Sequence, residues 1–343
     1  MSDEPAPVAP EVAAAEAGTS AGTAEPAEAL RQLSASIGRE IVGHTDVIRA
    51  LTVALVSEGH ILLEGVPGLA KTQLVRAFAD TLRLTFRRIQ FTPDMLPSDI
   101  LGTTILRPKD QSFEFRPGPI FANVVLADEI NRAPPKVQSA LLEAMQERQV
   151  TLDGVSHPLP SPFLVIATQN PLEHEGTYPL PEAELDRFLF RWLMGYPSVE
   201  NEVGILRSRV RREATDRAVA VLSPADVERL RTLHRAVFVH EDIYRYLATL
   251  VRQTRVDRRL LLGASPRASV QYLQAAKAVA LLDGRSYVLP DDVRELAFPV
   301  FNHRVIVRPE VLSRAAGTGA SGSSVTPLGQ ILTEVLDAVD VPR

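Results

Sequence analysis

Short, nearly continuous apolar runs alternate, in the first half of the chain, with stretches in which apolar residues recur every three or four positions. The first pattern suits strands buried on both faces of a parallel sheet, and the second suits the amphipathic helices that cover such a sheet. Strands are expected from His60 to the turn at Gly65 and over residues 86–91, 123–127, 163–167 and 188–194. Helices are expected over 27–39, 46–58, 72–82 and 134–148. In the second of these, Val47, Ile48, Leu51, Val53, Ala54 and Leu55 form the apolar face that packs toward the first strand. Residues 92–102 are too interrupted by Pro and Gly for a long helix. Two hairpins complete this half. Residues 103–106 pair with 112–115 around 108–110, and 149–152 pair with 155–159 through Asp153-Gly154, a strong hairpin turn signal. Five strands alternating with helices give an α/β fold, a five-stranded parallel sheet with helices on both faces.

From about Val199 the texture changes to arginine-rich helical patterning without strand-like runs. Ser223, Pro224 and Asp226 suit the N-cap, first and third positions of a helix. Further helices are expected over 242–253, 265–282 and 291–297. The chain therefore divides into a tail (1–27), an α/β domain (28–198) with an insert at 92–117 and a hairpin at 147–160, an arginine-rich linker helix (199–222), a smaller all-α domain (223–312), and a final stretch (313–343). That last stretch is Gly/Ser-rich and flexible around 317–324 and ends in a short helix over 328–338.

Composition sharpens this picture at three points. Residues 1–30 hold six acids and no Lys or Arg, and the Ala/Glu/Pro-rich tail lacks the apolar residues to offset ordering entropy, so it is expected to be disordered. It has no basic segment followed by an apolar one and is not a secretory signal. Removing those six from the 42 acids leaves 36 against 37 basic residues, so the folded part is near neutral and argues against a nucleic-acid partner. The run Arg207, Arg209, Arg211, Arg212 is then better read as a solvated helix face. The absence of cysteine excludes disulfides and thiolate chemistry and fits a cytoplasmic protein. No apolar run reaches the ~20 residues a membrane helix needs, so no membrane insertion is expected.

The candidate chemistry lies where strands end. Gly65 to Thr72 (GVPGLAKT) follows the phosphate-loop pattern G-x-x-x-x-G-K-[ST], with Ala70 in place of the last glycine. Backbone N–H groups of Val66, Pro67-Gly68, Leu69, Ala70, Lys71 and Thr72 are placed to converge on phosphate at a helix N-terminus, Pro67 itself contributing only its fixed turn. In this pattern Lys71 reaches the β- and γ-phosphates and Thr72 binds Mg²⁺. The strand over 123–127 delivers Asp128 and Glu129. The first acid suits Mg²⁺ coordination, and the second suits orientation and deprotonation of an attacking water. Asn170 ends the next strand, where it is placed to bridge the γ-phosphate and that water. Ile41 and Val42 suit either an apolar slot for an adenine ring or plain core packing. Arg187, just before the fifth strand, is a candidate arginine finger reaching a neighbouring subunit; an ion pair with Asp186 or Glu182 is the alternative. Arg132 is a second candidate of that kind. Arg267, at the start of the 265–282 helix, is placed to touch the γ-phosphate. The seven histidines show no metal-ligand spacing, so no metal beyond Mg²⁺ is expected.

Together, Gly65–Thr72, Leu126–Ala133 (LADEINRA), Ala167–Pro171 (ATQNP) and Glu175–Phe188 resemble the MoxR family of AAA+ ATPases over about residues 31–312. The alanine variant of the loop is usual in that family. The resemblance implies an AAA+ P-loop domain followed by a helical lid, Walker A at 65–72, Walker B at 124–129, sensor 1 at Asn170, the arginine finger at Arg187 and sensor 2 at Arg267. It also implies that the insert is the helix-2 insert and the 149–159 hairpin the pre-sensor insert. The implied activity is ATP hydrolysis with Mg²⁺ in a hexameric homo-oligomer with ATP at subunit interfaces. The implied task is chaperoning of protein complexes, often with von Willebrand factor A domain partners. Two other readings remain open on the residues: a nucleic-acid motor of related architecture, and a nucleotide-gated scaffold with little turnover.

Overall fold

The computed structural model describes residues 26–109, 111–171, 176–211, 218–317 and 326–342. Residues 1–25 of the tail expected to be disordered, and most of the 317–324 stretch, lie outside them, whereas Pro26 and Ala27 open α1. The α/β part runs α1 (Pro26–Gly38), α2 (Thr45–Val56), β1 (Ile61–Glu64), α3 (Lys71–Thr81), β2 (Phe86–Gln90), α4 (Pro97–Leu101), β3 (Gly102–Arg107), β4 (Ser112–Pro117) and β5 (Val124–Asp128). A 3-10 turn at Ile130–Arg132 leads to α5 (Pro135–Glu147), β6 (Gln149–Leu152), β7 (Val155–Pro158), β8 (Leu164–Gln169), α6 (Glu182–Leu185), β9 (Phe190–Leu193) and α7 (Val199–Arg211). The helical part comprises α8 (Pro224–Ala236), α9 (Glu241–Val256), β10 (Leu260–Leu262), α10 (Pro266–Leu282), α11 (Pro290–Phe301), β11 (Ile306–Val307), α12 (Pro309–Gly317) and α13 (Pro327–Asp337).

The sheet order is β2-β5-β8-β1-β9, and every pairing is parallel. Its central strands are buried on both faces, so alternate residues feed two cores. Ile61 and Leu63, Val124 and Leu126, and Leu164 and Ile166 face the core shared with α1, α2, α3 and the helical part. Leu62, Val125, Ala127, Val165 and Ala167 face the core beneath α5. The two hairpins stand off this second face and touch each other, with Phe115 stacked on His157 at 3.9 Å and the Thr104 hydroxyl donating to Asp153 at 2.8 Å.

The first core is continuous from the sheet into the lid, where Tyr272, Ala275, Val279, Val293 and Val300 join it. Arg231 of α8 is buried and donates from Nε and Nη2 to the Leu55 carbonyl at 3.2 and 3.0 Å, satisfying an orphan carbonyl at the end of α2 with a cation. Ser223 and Asp226 form the reciprocal cap expected at the start of α8.

The lid is helical as expected, with additions too short for periodicity to reveal. Leu260–Leu262 and Ile306–Val307 form a two-stranded antiparallel ribbon. Helix α11 does not stop at Ala297 but runs through Pro299 to Phe301. Burial of Pro299, Val300 and Phe301 outweighs the donor that proline removes. Helix α12 covers the start of the final stretch and ends at Gly317, the first residue of the segment expected to be flexible. The terminal helix α13 docks on the lid through buried Ile331, Leu332 and Val335 and the Arg294–Asp337 ion pair at 2.7 Å.

His60, just before β1, is fully buried. Its Nδ1 accepts from the Val165 N–H at 3.0 Å, and its Nε2 donates to the Met145 carbonyl at 3.1 Å. Burial pushes its pKa from 6.5 down to about 4. As pH falls, the unfolded chain therefore takes the proton first, and stability present above about pH 6.5 is lost progressively down to about 4. The full His60 share is roughly 3 kcal/mol. Urea unfolding between pH 7 and about 4.5 is expected to show a shallower loss of stability for His60→Gln than for the parent chain. Equal slopes would show that His60 is not the group responsible.

Candidate nucleotide site

Helix α3 begins directly from a backbone turn. Its N-cap residue, Ala70, has φ 56° and ψ 22° and supplies no side-chain cap, so the first N–H groups of the helix stay available to an anion. This left-handed conformation explains why glycine is usual at the position, since a Cβ there costs roughly 1–2 kcal/mol. Gly68 also has positive φ, at 91°. Gly65 answers a different demand: a Cβ there would lie 2.9 Å from the Met194 carbonyl oxygen where β9 ends. The Lys71 ammonium donates to the Gly65 carbonyl at 2.6 Å and so lies folded along the loop. Partial burial lowers the Lys71 pKa, and the charges of Asp128, Glu129 and Glu64 oppose that shift.

Parallel register sets the acids opposite the loop. Glu64 pairs with Gln169 and Gln90 with Asp128, so β1, β5 and β8 end at one edge of the sheet. A cleft of about 370 Å³ opens there, lined by Pro67, Gly68, Leu69, Ala70, Lys71, Thr72, Gln73, Asp128, Glu129, Thr168 and Asn170. That volume lies within the ~300–1,000 Å³ usual for small-ligand sites. The structure thus brings together the loop, both acids and Asn170 as the sequence implied. Thr72 and Asp128 face the same space and offer the hard oxygen donors that Mg²⁺ prefers, with phosphate oxygens left to complete the shell.

Sequence reasoning missed three contributors. The buried Thr168 hydroxyl donates to Asp128 Oδ1 at 2.6 Å and accepts from the Glu129 N–H at 2.9 Å, holding both acids from the next strand. Arg88 on edge strand β2 pairs with Asp128 Oδ2 at 2.7 Å. Gln90, two residues on, donates to Glu129 Oε2 at 2.7 Å. No spacing rule marks them, because they become neighbours only through strand pairing. Arg132 also reaches Glu129, with Nε 3.2 Å from Oε2. Glu129 itself is left-handed, with φ 59° and ψ 50°, a conformation found where backbone strain is maintained by surrounding contacts.

The other expected residues lie outside this cleft. Ile41 is buried in the first core, and Val42 packs beside Gly204, whose Cβ would meet Val42 Cγ1 at 2.9 Å. A smaller pocket beside them, lined by Gly43, His44, Asp46, Val47, Met194 and residues 195–198 and 201, adjoins the loop through Met194. Arg187 sits in the turn between α6 and β9, and Arg267 is exposed at the second position of α10. Neither lines this cleft. The ion pair of Arg187 with Asp186 or Glu182 held as an alternative is not formed; Asp186 Oδ1 instead accepts from Arg304 Nε at 2.8 Å.

Known proteins give the same outline. Residues 60–190 match the model of the ATPase family associated with various cellular activities (AAA), and residues 252–320 match an AAA lid domain. The chain is 47% identical over 306 residues to chaperone MoxR1 of Mycobacterium tuberculosis, covering 86% of this chain and 80% of that one. It is 46% identical over 306 residues to the uncharacterised protein YeaC of Bacillus subtilis (89% and 92% covered) and 33% identical to protein MoxR of Methylorubrum extorquens (84% and 91%). A crystal structure from Cytophaga hutchinsonii, titled as an ATPase candidate, superposes with a TM-score of 0.83 at 41% identity, covering 93% of this chain and 96% of that one.

The Ala70 conformation yields a test of the loop. Ala70→Gly, free of the Cβ penalty, is expected to keep ATP affinity within about twofold. Ala70→Val places a branched Cβ at positive φ and is expected to lose roughly 1–2 kcal/mol of stability together with most ATP affinity. Calorimetric titration with ATP and thermal unfolding of both variants measure this. Equal behaviour of the two would contradict the left-handed turn at position 70.

Proposed function

The chain belongs to the MoxR family of AAA+ ATPases, and from that premise we propose that it is an ATP-hydrolysing chaperone that assembles into a ring and remodels a partner protein complex. The observation that carries this reading is the cleft in which the phosphate loop, Asp128, Glu129 and Asn170 face one another. In it the amides at the start of α3 and Lys71 bind the β- and γ-phosphates. Thr72 and Asp128 would hold Mg²⁺, which when bound neutralises charge developing on the phosphate oxygens. Glu129 orients the attacking water and takes its proton, with Gln90 fixing one carboxylate oxygen and Thr168 fixing the backbone. Asn170 lies beside that water. The small pocket lined by Gly43, His44, Val47 and Met194, next in the chain to Ile41 and Val42, is the place proposed for the adenine.

Arg187 is proposed to act on the ATP of an adjacent subunit, which is in keeping with its lying away from its own cleft. Arg267 reports the γ-phosphate to the lid. The preferred assembly is a hexamer. The partner is a protein client, with von Willebrand factor A domain proteins as the first class to try, and the cytoplasm is the proposed location. Among the described residues no helix is long and apolar enough to cross a membrane. The two touching hairpins, with Leu106, Phe113 and Val155 exposed, are the elements proposed to act on the client.

Steady-state hydrolysis tests the assignment. Glu129→Gln is expected to lower kcat by about 10²–10⁴ with ATP still bound, and Lys71→Ala to abolish ATP binding. Unchanged rates in both would remove the catalytic assignment. Stimulation by DNA or RNA that falls steeply with salt would instead favour a nucleic-acid motor.

A further inference from the structure

Arg187 lies between two peptide groups that are both held by one buried side chain. Arg304, in the turn just beyond α11, donates from Nη2 to the Phe188 carbonyl at 2.5 Å and shares that nitrogen more weakly with the Asp186 carbonyl at 3.4 Å; these are the residues on either side of Arg187. Its Nη1 donates to the Leu189 carbonyl at 3.0 Å, and its Nε pairs with Asp186 Oδ1 at 2.8 Å. The guanidinium is only 1% exposed, and burial lowers its pKa to about 10 while Asp186 opposes that shift. The neighbouring residues add to the clamp. His303 donates to the Phe188 carbonyl at 3.1 Å, and the Asn302 amide donates to the Arg191 carbonyl at 2.9 Å.

The same cluster grips the start of α10. Ser265, the N-cap of that helix, accepts from the Ala268 N–H at 3.2 Å and donates its own proton to Asp186 Oδ2 at 2.9 Å. Gln271, one turn beyond Arg267, accepts from Arg304 Nη2. The two oxygens of the Asp186 carboxylate are thus divided, one to the lid helix that carries Arg267 and one to the arginine that fixes the Arg187 turn. Asp186 has one-fifth of its side chain exposed, and breaking such a partly buried network strands a buried charge. Displacing the start of α10 therefore either carries the Arg187 turn with it or breaks the two charge-assisted hydrogen bonds made by Ser265 and Gln271.

We infer that Asp186 is a positioning residue that couples two active sites: with Ser265 and Arg304 it ties the lid helix reading a subunit's own nucleotide to the arginine that subunit offers its neighbour. A subunit then presents Arg187 well only when its own site is occupied, and hydrolysis becomes co-operative around the assembly. This inference rests on the proposed roles of Arg187 and Arg267. It goes beyond them in assigning the link between the two and in giving Asp186 a role other than partner to Arg187.

The test uses the full-length assembled protein and four variants. Asp186→Asn is expected to bind a fluorescent ATP analogue at its own site within about twofold of the parent, yet to turn over about tenfold or more slowly, a fraction of the 10³–10⁵ that an arginine finger supplies. Ser265→Ala, which removes the bond to Asp186 together with the N-cap bond from the Ala268 N–H, is expected to show the same split more mildly, and it carries the test if Asp186→Asn fails to fold by thermal melting. The decisive readout is mixing with an excess of Glu129→Gln subunits, which retain the intact Arg187 turn and the determinants of ATP binding. Activity per Asp186→Asn or Ser265→Ala subunit should rise several-fold, because the defect lies in what the subunit gives rather than in its own site. No rise, while Arg187→Ala subunits are rescued by the same mixing, would overturn the coupling and leave the shared site standing. No rescue of Arg187→Ala either would remove the shared site and the coupling with it.

Discussion

Parallel register at one edge of the sheet is the constraint on which the rest of the molecule depends. Because β1, β5 and β8 run side by side in the same direction, the residues that follow them leave the sheet together. The loop after Glu64, the acids after Ala127 and Asn170 after Gln169 are far apart in sequence, yet they line one cleft. A shift of one residue in any of these pairings would turn its apolar side chains to the wrong core and withdraw its polar end from the cleft. The two cores split by strand alternation therefore specify the active-site geometry as well as the fold. Thr168 makes the dependence concrete, since its one hydroxyl, at the end of β8, fixes both an oxygen of Asp128 and the backbone of Glu129.

Much of this was legible before any coordinates. Continuous apolar runs marked the central strands, and the phosphate loop, the acid pair and Asn170 each stood at the end of one. Those signals are local and chemically demanding, and little else satisfies them. What stayed hidden depends on pairing across the fold. Arg88 and Gln90 look like ordinary exposed residues of an edge strand until β2 lies beside β5 and sets Gln90 opposite Asp128. Asp186 beside Arg187 invited a local ion pair, but Arg304, 118 residues away in sequence, offers Asp186 a buried partner with several carbonyls to satisfy alongside it. The β10–β11 ribbon and the passage of α11 through Pro299 escaped for the same reason: tertiary burial outweighed weak local preference.

The lid is more than a cover in this arrangement. Its core is continuous with one face of the sheet through α1 and α2, and a cluster of its polar contacts falls on the segment from Asp186 to Arg191. That segment carries Arg187 at one end. At the other, Arg191 pairs with Glu64 at the mouth of the phosphate loop and donates to the Asn302 carbonyl at 3.3 Å. One short stretch of backbone thus stands between the lid, the loop and the arginine proposed to serve the next subunit. A nucleotide that shifts the lid acts on all three.

The proposed active site is composite, with phosphate bound by the loop of one subunit and stabilised in reaction by Arg187 of the next. The structure of the assembled protein with a non-hydrolysable ATP analogue and Mg²⁺ tests it most directly. The expected result places the β- and γ-phosphates on the amides of residues 68–72 and the Arg187 guanidinium of an adjacent subunit against the γ-phosphate. Phosphates bound away from the loop, or a γ-phosphate met only by side chains of its own subunit, would contradict it.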